Sequence, residues 1–156
     1  MREILFRGKR TDSVEWIEGY LNQHRGGVIF DCCCNAINAN DYYINDWVAK
    51  IDTDLYGCVY KVIPETVGQF TGLTDKNGVR IFEGDICRFK RFNDICIGKI
   101  VFNVKTASFV MWYQSIVGAY GEKATHKMLL SVCDDIEVIG NIHDNPELLE
   151  GGEDNG

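Results

Sequence analysis

The sequence predicts a mainly β fold with one or two short helices, and three observations predict it. β-branched and aromatic residues recur in short runs, several with the alternation that sends successive side chains to opposite faces of a strand. Turn residues separate these runs at short intervals, most densely between Gly68 and Ile86, where Gly68, Gly72, Gly78 and Gly84 all fall. Finally, Gly68–Ile86 spells strand-turn-strand-turn-strand around Asn77-Gly78, a strong short hairpin signal. About five short strands with tight turns, counted from Gly68 onward, predict a small SH3-like or OB-like barrel in the C-terminal half. The N-terminal half is expected to be a smaller β-rich subdomain. The expected division is therefore residues 1–65, residues 66–150 and a frayed acidic tail at 151–156.

Taken in order, Ile4–Arg7 and Val14–Leu21 read as strands around a polar turn, with Trp16, Glu18 and Tyr20 on one face. His24–Gly27 reads as a loop, and Val28–Asp31 as a strand running into Cys32, Cys33 and Cys34. Tyr42–Ile51 fits a strand or a short helix. Leu55–Ile63 fits a strand ended by Pro64, which has no N–H for a ladder and suits the first turn of a helix. Asn77-Gly78 predicts a type I′ hairpin between Thr71–Leu73 and Val79–Phe82, because both of its residues tolerate positive φ. Glu83-Gly84-Asp85 predicts a second turn. Ile86–Phe92, Ile95–Phe102 and Ser108–Tyr113 follow as strands. Ile116–Thr125, with Gly118 and Gly121, reads as an exposed loop, and Lys127–Leu130 as a helical turn or strand. Ile136–Ile142 alternates and is expected to close a sheet. Asn145-Pro146-Glu147 then spells a capped short helix.

The chain has 156 residues, 46% of them hydrophobic and 25% charged, which is an ordinary globular composition. No apolar run reaches the roughly 18 residues of a membrane span. Charges at Arg2, Glu3 and Arg7 occupy the place of a signal-peptide core, so the expectation is a soluble, cytosolic protein without membrane partners. Net charge is −7, which disfavours nucleic-acid binding by the surface as a whole. The charge is uneven. Arg88–Lys105 holds five basic residues and one acid, whereas the chain from Asp134 onward holds eight acids and no Lys or Arg. These stretches could attract one another, within one copy or between two.

Seven cysteines, an odd count with three adjacent, do not spell a secreted disulfide framework. No C-x2-C pair is present, so zinc is unsupported. Cys58, Cys87, Cys96 and Cys133 sit singly in apolar segments and read as small buried side chains. A metal role for Cys32–Cys34 with His24 is weighed against a strand of buried thiols, and the latter is preferred. Asp75 and Asn77 resemble the start of a calcium loop, but counted from Asp75 the sixth and twelfth places hold Arg80 and Ile86 rather than Gly and Glu. No cofactor or metal site is therefore expected.

Three segments resemble the YopX family of phage and prophage proteins. They are I-L-F-R-G-K (Ile4–Lys9) with W-I-E-G (Trp16–Gly19), T-V-G-Q-F-T-G-L-T-D-K-N-G-V-R-I-F-E-G-D-I (Thr66–Ile86), and V-I-G-N-I-H-D-N-P-E-L-L (Val138–Leu149). The resemblance implies a mainly β, phage-encoded cytosolic protein and brings no catalytic residue with it. Its recurring residues here, Thr71, Gly72, Asp75, Asn77, Gly78, Glu83, Gly84 and Asp85, match turn chemistry.

Catalysis finds no support: G-x-S-x-G, H-E-x-x-H and P-loop patterns are absent. His143-Asp144 near a cysteine, or Glu83 with Asp85, would be the places for an unrecognised enzyme site. The leading expectation is a non-catalytic module that binds a host or phage protein and can self-assemble, using exposed strands and Trp16, Trp47, Trp112 and Tyr113. The alternative is nucleic-acid binding by Arg88, Lys90, Arg91 and Phe92, where cations attract phosphate and an aromatic stacks on bases.

Overall fold

The computed structural model describes residues 4–23, 29–30, 36–37, 42–46, 58–92, 94–117 and 122–150. The chain divides into two compact units, Met1–Phe70 and Thr71–Gly156. Both are built of antiparallel strands, so the mainly β class expected from the sequence holds.

In the first unit, β1 (Phe6–Lys9) pairs with β2 (Trp16–Gln23), placing Lys9 opposite Trp16 and Phe6 opposite Gly19. A two-stranded pair, β3 (Ile29–Phe30) and β4 (Ala36–Ile37), stands apart from that ladder. β5 (Tyr42–Asp46) takes the strand alternative and joins β2 to β6 (Cys58–Val62). The predicted strand from Val14 starts later: Val14 has φ +55 and is exposed, ahead of Trp16. After β6 the chain makes a single 3-10 turn, Pro64–Thr66. Thr66 fastens that turn by donating to Ile63 O (2.6 Å) and accepting from Lys9 N (2.9 Å). β7 (Gly68–Thr74) begins here, pairing with β1. The His24–Gly27 loop, the Cys32–Cys34 run and Trp47 lie outside the described residues, as does the 151–156 tail.

The second unit starts within β7 and turns back through β8 (Arg80–Phe82). A five-stranded sheet follows, in the order β12-β11-β10-β9-β13. Its members are β9 (Asp85–Arg91), β10 (Asp94–Asn103), β11 (Ser108–Val117), β12 (Glu122–Leu129) and β13 (Asp134–Asn141). Alternation assigns its two faces. Ile81, Cys87, Phe89, Ile100, Met111, Tyr113, Leu130 and Ile136 form one buried cluster, with Phe89 meeting Tyr113 edge to face at 5.1 Å between centroids. Removing an aromatic such as Phe89 from this core would cost about 3–5 kcal/mol.

Four expectations need correction here. First, β12 and β13 form no ladder with each other among the described residues, so barrel closure is not seen; β13 adds beside β9 and is one end of the sheet. Second, residues read as an exposed loop from Ile116 are largely strand. β11 continues to Val117 and pairs with β12 through Ile116↔Lys123 and Gln114↔Thr125. Cross-strand pairing makes Ile116, Val117 and residues 122–125 strand, while Gly118 and Gly121 lie outside the described residues. Third, the C-terminal helix is a 3-10 turn, Pro146–Leu149, and Asn145 makes no side-chain cap. Asn141 organises this bend instead, its Oδ1 accepting from His143 N (2.9 Å) and Asp144 N (3.0 Å). Fourth, the hairpin at Asn77-Gly78 is not type I′. Only Gly78 has positive φ, at +82°, and it donates to Asp75 O at 3.0 Å. This is a three-residue loop with a left-handed glycine last.

Candidate functional site

The central motif resolves into hydrogen-bonded turns. Asp75 is buried at the base of the loop. Its Oδ1 accepts from Asn77 N (2.7 Å) and Val79 N (2.9 Å), and its Oδ2 from Val138 N (3.0 Å) on β13. Burial pushes this carboxyl up, but the three N–H donors together outweigh burial and hold it below its ordinary value. Next to it, Lys76 N donates to Ile136 O at 2.9 Å, and Lys76 Nζ meets Glu137 Oε2 at 2.6 Å. The loop thereby seals the outer edge of β13.

The other motif residues act in the same manner. Thr71 donates to Ile81 O (2.9 Å) beside Gly72, whose φ is +87°. Asp85 is fully buried and accepts from Phe82 N at 2.8 Å. Gly84, at φ +85°, donates to Ile100 O and accepts from Ile142 N, both at 2.9 Å. Glu83 accepts from Phe102 N at 3.3 Å. Glu83 and Asp85 thus face separate backbone donors rather than one another. Among the described residues, no group of three His, Cys, Asp or Glu side chains stands together.

The basic stretch is divided by the structure. Alternation sends Arg88 and Lys90 outward, where acids of β13 meet them: Arg88 Nη2 to Glu137 Oε2 at 3.2 Å, and Lys90 Nζ to Asp135 Oδ2 at 2.6 Å. Asp135 has φ +50°, at a shift of register between Asp134 and Glu137. The basic and acidic stretches of the sequence therefore meet within one copy. Lys76 holds the Glu137 carboxyl low, and Lys90 does the same for Asp135. Arg91 is on the other face, its guanidinium 5.6 Å from the ring centres of Phe92 and of Tyr113. Phe92 lies in the two-residue connection between β9 and β10, is 90% exposed and has φ +55°. Exposed Ile95 is close behind it on β10. The four residues named for nucleic acid are thus split between two faces and a hairpin tip.

Two features escaped the sequence reading. Ser115 Oγ and His126 Nε2 are 2.8 Å apart across β11 and β12, and Tyr113 stacks on the His126 ring at 5.1 Å. No carboxylate among the described residues orients this imidazole, so the pair lacks the third member of a nucleophilic triad. Burial raises the Cys133 thiol to about 11, which keeps it protonated near neutral pH. The second feature is a cross-strand row on the outer face, Lys99–Trp112–Lys127. The Lys99 ammonium sits 4.7 Å from the Trp112 ring centre. Register alone could have found this row, but only with β12 recognised as a strand.

Fold and motif together define a small antiparallel-β protein whose signature residues build turns and fasten a sheet edge. The chain belongs to the YopX family: the family model described as YopX protein matches residues 6–150. Among solved structures it is similar to the crystal structure of protein EF1440 from Enterococcus faecalis. Identity is 25%, the TM-score is 0.51, and the alignment covers 96% of this chain and 99% of that one. No curated protein matches. No helix among the described residues is long and apolar enough to cross a membrane.

Proposed function

We propose that this YopX-family chain is a phage- or prophage-encoded, non-catalytic protein-interaction module acting in the host cytosol. One observation carries the reading: the β9–β10 tip holds Phe92 out at 90% exposure, in a left-handed backbone conformation, beside exposed Ile95. A left-handed non-glycine residue costs about 1–2 kcal/mol. An exposed aromatic at a hairpin tip has the character of an interface anchor. The test is affinity capture from an induced or infected bacterial lysate, with and without nuclease. Wild type is expected to retain a host or phage protein after nuclease treatment, and Phe92→Asn to lose it while remaining folded. Equal capture by both proteins would remove the tip from the interface.

The second reading is nucleic-acid binding around Arg91, which has no carboxylate ion pair among the described residues and lies beside Phe92. The ion pairs of Arg88 and Lys90 weigh against it. It requires salt-sensitive oligonucleotide binding that charge reversal at Arg88, Lys90 and Arg91 abolishes. Absence of binding at low salt ends it.

A further inference from the structure

The two outer strands of the five-stranded sheet are treated very differently. β13 has its outer edge occupied, by Lys76 N on Ile136 O and by Asp75 Oδ2 on Val138 N. β12 pairs with β11 over its whole length, Glu122 to Leu129, and has no second backbone partner among the described residues. Every second residue of such an edge aims an N–H and a C=O outward.

The surface behind that edge is basic. Register and alternation place Lys123, Thr125 and Lys127 on one face with Gln114, Trp112 and Lys99. Lys123 and Lys127 are exposed, and no ion pair with a carboxylate engages Lys99, Lys123 or Lys127 among the described residues. In a chain of net charge −7 this is a local excess of cations. The opposite face of β12 presents Ala124, His126 and Met128, of which Met128 packs on the core.

Lysines on an edge strand commonly block unwanted pairing, and here they also state which pairing is blocked. If β12 met β12 of a second copy, antiparallel and centred on Thr125, Lys123 would face Lys127 twice. Like charges directly opposite are destabilising. The acidic β13 of a second copy offers no remedy, because its edge is already taken by the Asp75 loop. Nucleic acid is disfavoured as well, since Lys99 lies against the Trp112 ring that would have to stack.

The geometry points to β12 as the docking edge for an extended acidic segment of another protein, which would add as a sixth strand to this sheet. Backbone hydrogen bonds would supply affinity, and carboxylates at alternate positions, opposite Lys123 and Lys127, would supply selectivity. This rests on the interaction-module reading and assigns it a mode and a partner chemistry.

The test uses a fluorescein-labelled octapeptide alternating Glu and Val, its Lys/Val counterpart, and an N-methylated Glu/Val version that cannot pair as a strand. The whole chain is titrated by fluorescence anisotropy. Wild type is expected to bind the Glu/Val peptide and to slow exchange of alternate β12 amides. K123E/K127E, at an unchanged denaturation midpoint, should bind it at least about tenfold more weakly and accept the Lys/Val peptide instead. Four results overturn the inference: no binding, no response to the charge swap, equal binding of the N-methylated peptide, or β12 amides already protected in a concentration-dependent dimer. The N-methyl arm needs only wild-type protein, so misfolding of a variant cannot obscure it. Lysate capture that survives K123E/K127E but not Phe92→Asn would preserve the interaction module and discard the edge.

Discussion

β12 and β13 stand at the two ends of one sheet, and the chain invests in them unequally. On β13, a buried carboxylate, a loop N–H and a lysine are all committed to covering the edge. On β12, Lys123, Thr125 and Lys127 share one exposed face, and the outward backbone groups have no partner among the described residues. An unpaired edge is a hazard that proteins ordinarily cover or blunt. The family motif thus closes the first edge, and the second is the edge proposed for docking.

The largest expected effect breaks the closed side. Asp75→Ala leaves Asn77 N, Val79 N and Val138 N without their acceptor and detaches the loop from β13. With about 1–3 kcal/mol for each buried donor left unpaired, and partial relief by water, the loss should reach about 3 kcal/mol or more. Urea denaturation measures it, and amide exchange at Val138 should quicken most. A change under about 1 kcal/mol would mean that the Asp75 carboxylate does little to hold β13.

The same residue sets a pH dependence. Its carboxyl is held below its ordinary value, with burial raising it and the N–H donors lowering it further. A group with a depressed folded pKa contributes stability that is present above the unfolded carboxylate range, near about 4, and that disappears as pH falls through the folded value. Wild type should therefore lose stability in acid more steeply than Asp75→Asn, which has no such proton to take up. Parallel acid limbs for the two proteins would contradict the assignment.

How much of this was legible in the sequence depends on the range of each interaction. The strands from β7 to β10 could be read locally, since alternation and glycine-bearing turns are written within a few residues. Asn77-Gly78 announced a turn, but its type was decided by Asp75, whose carboxylate draws in Asn77 N and Val79 N. The third bond of Asp75, to Val138, spans 63 positions and leaves no local signal. The first half of β12, read as loop up to Thr125, was missed for a similar reason, and for Lys127–Leu130 a strand was only one of two alternatives. The inward residues of β12, Ala124, His126 and Met128, are only weakly apolar, so the strand is specified by β11 beside it. Of the candidate site, the cations of β9 were legible, whereas their neutralisation by Asp135 and Glu137 required the bulged register of β13.

The smallest expected effect separates backbone from contact on the closed side. Gly78 has φ +82°, yet a Cβ built there would meet nothing within 4 Å. Gly78→Ala therefore tests conformation alone. It should cost about 1–2 kcal/mol, the penalty of a left-handed L-residue, reduced slightly by the lower entropy of the unfolded chain. The Asp75 bonds should survive, and with them the slow exchange at Val138. If exchange at Val138 accelerates as much as in Asp75→Ala, the left-handed glycine is what positions the carboxylate, and the closed edge depends on the shape of the loop as much as on its charge.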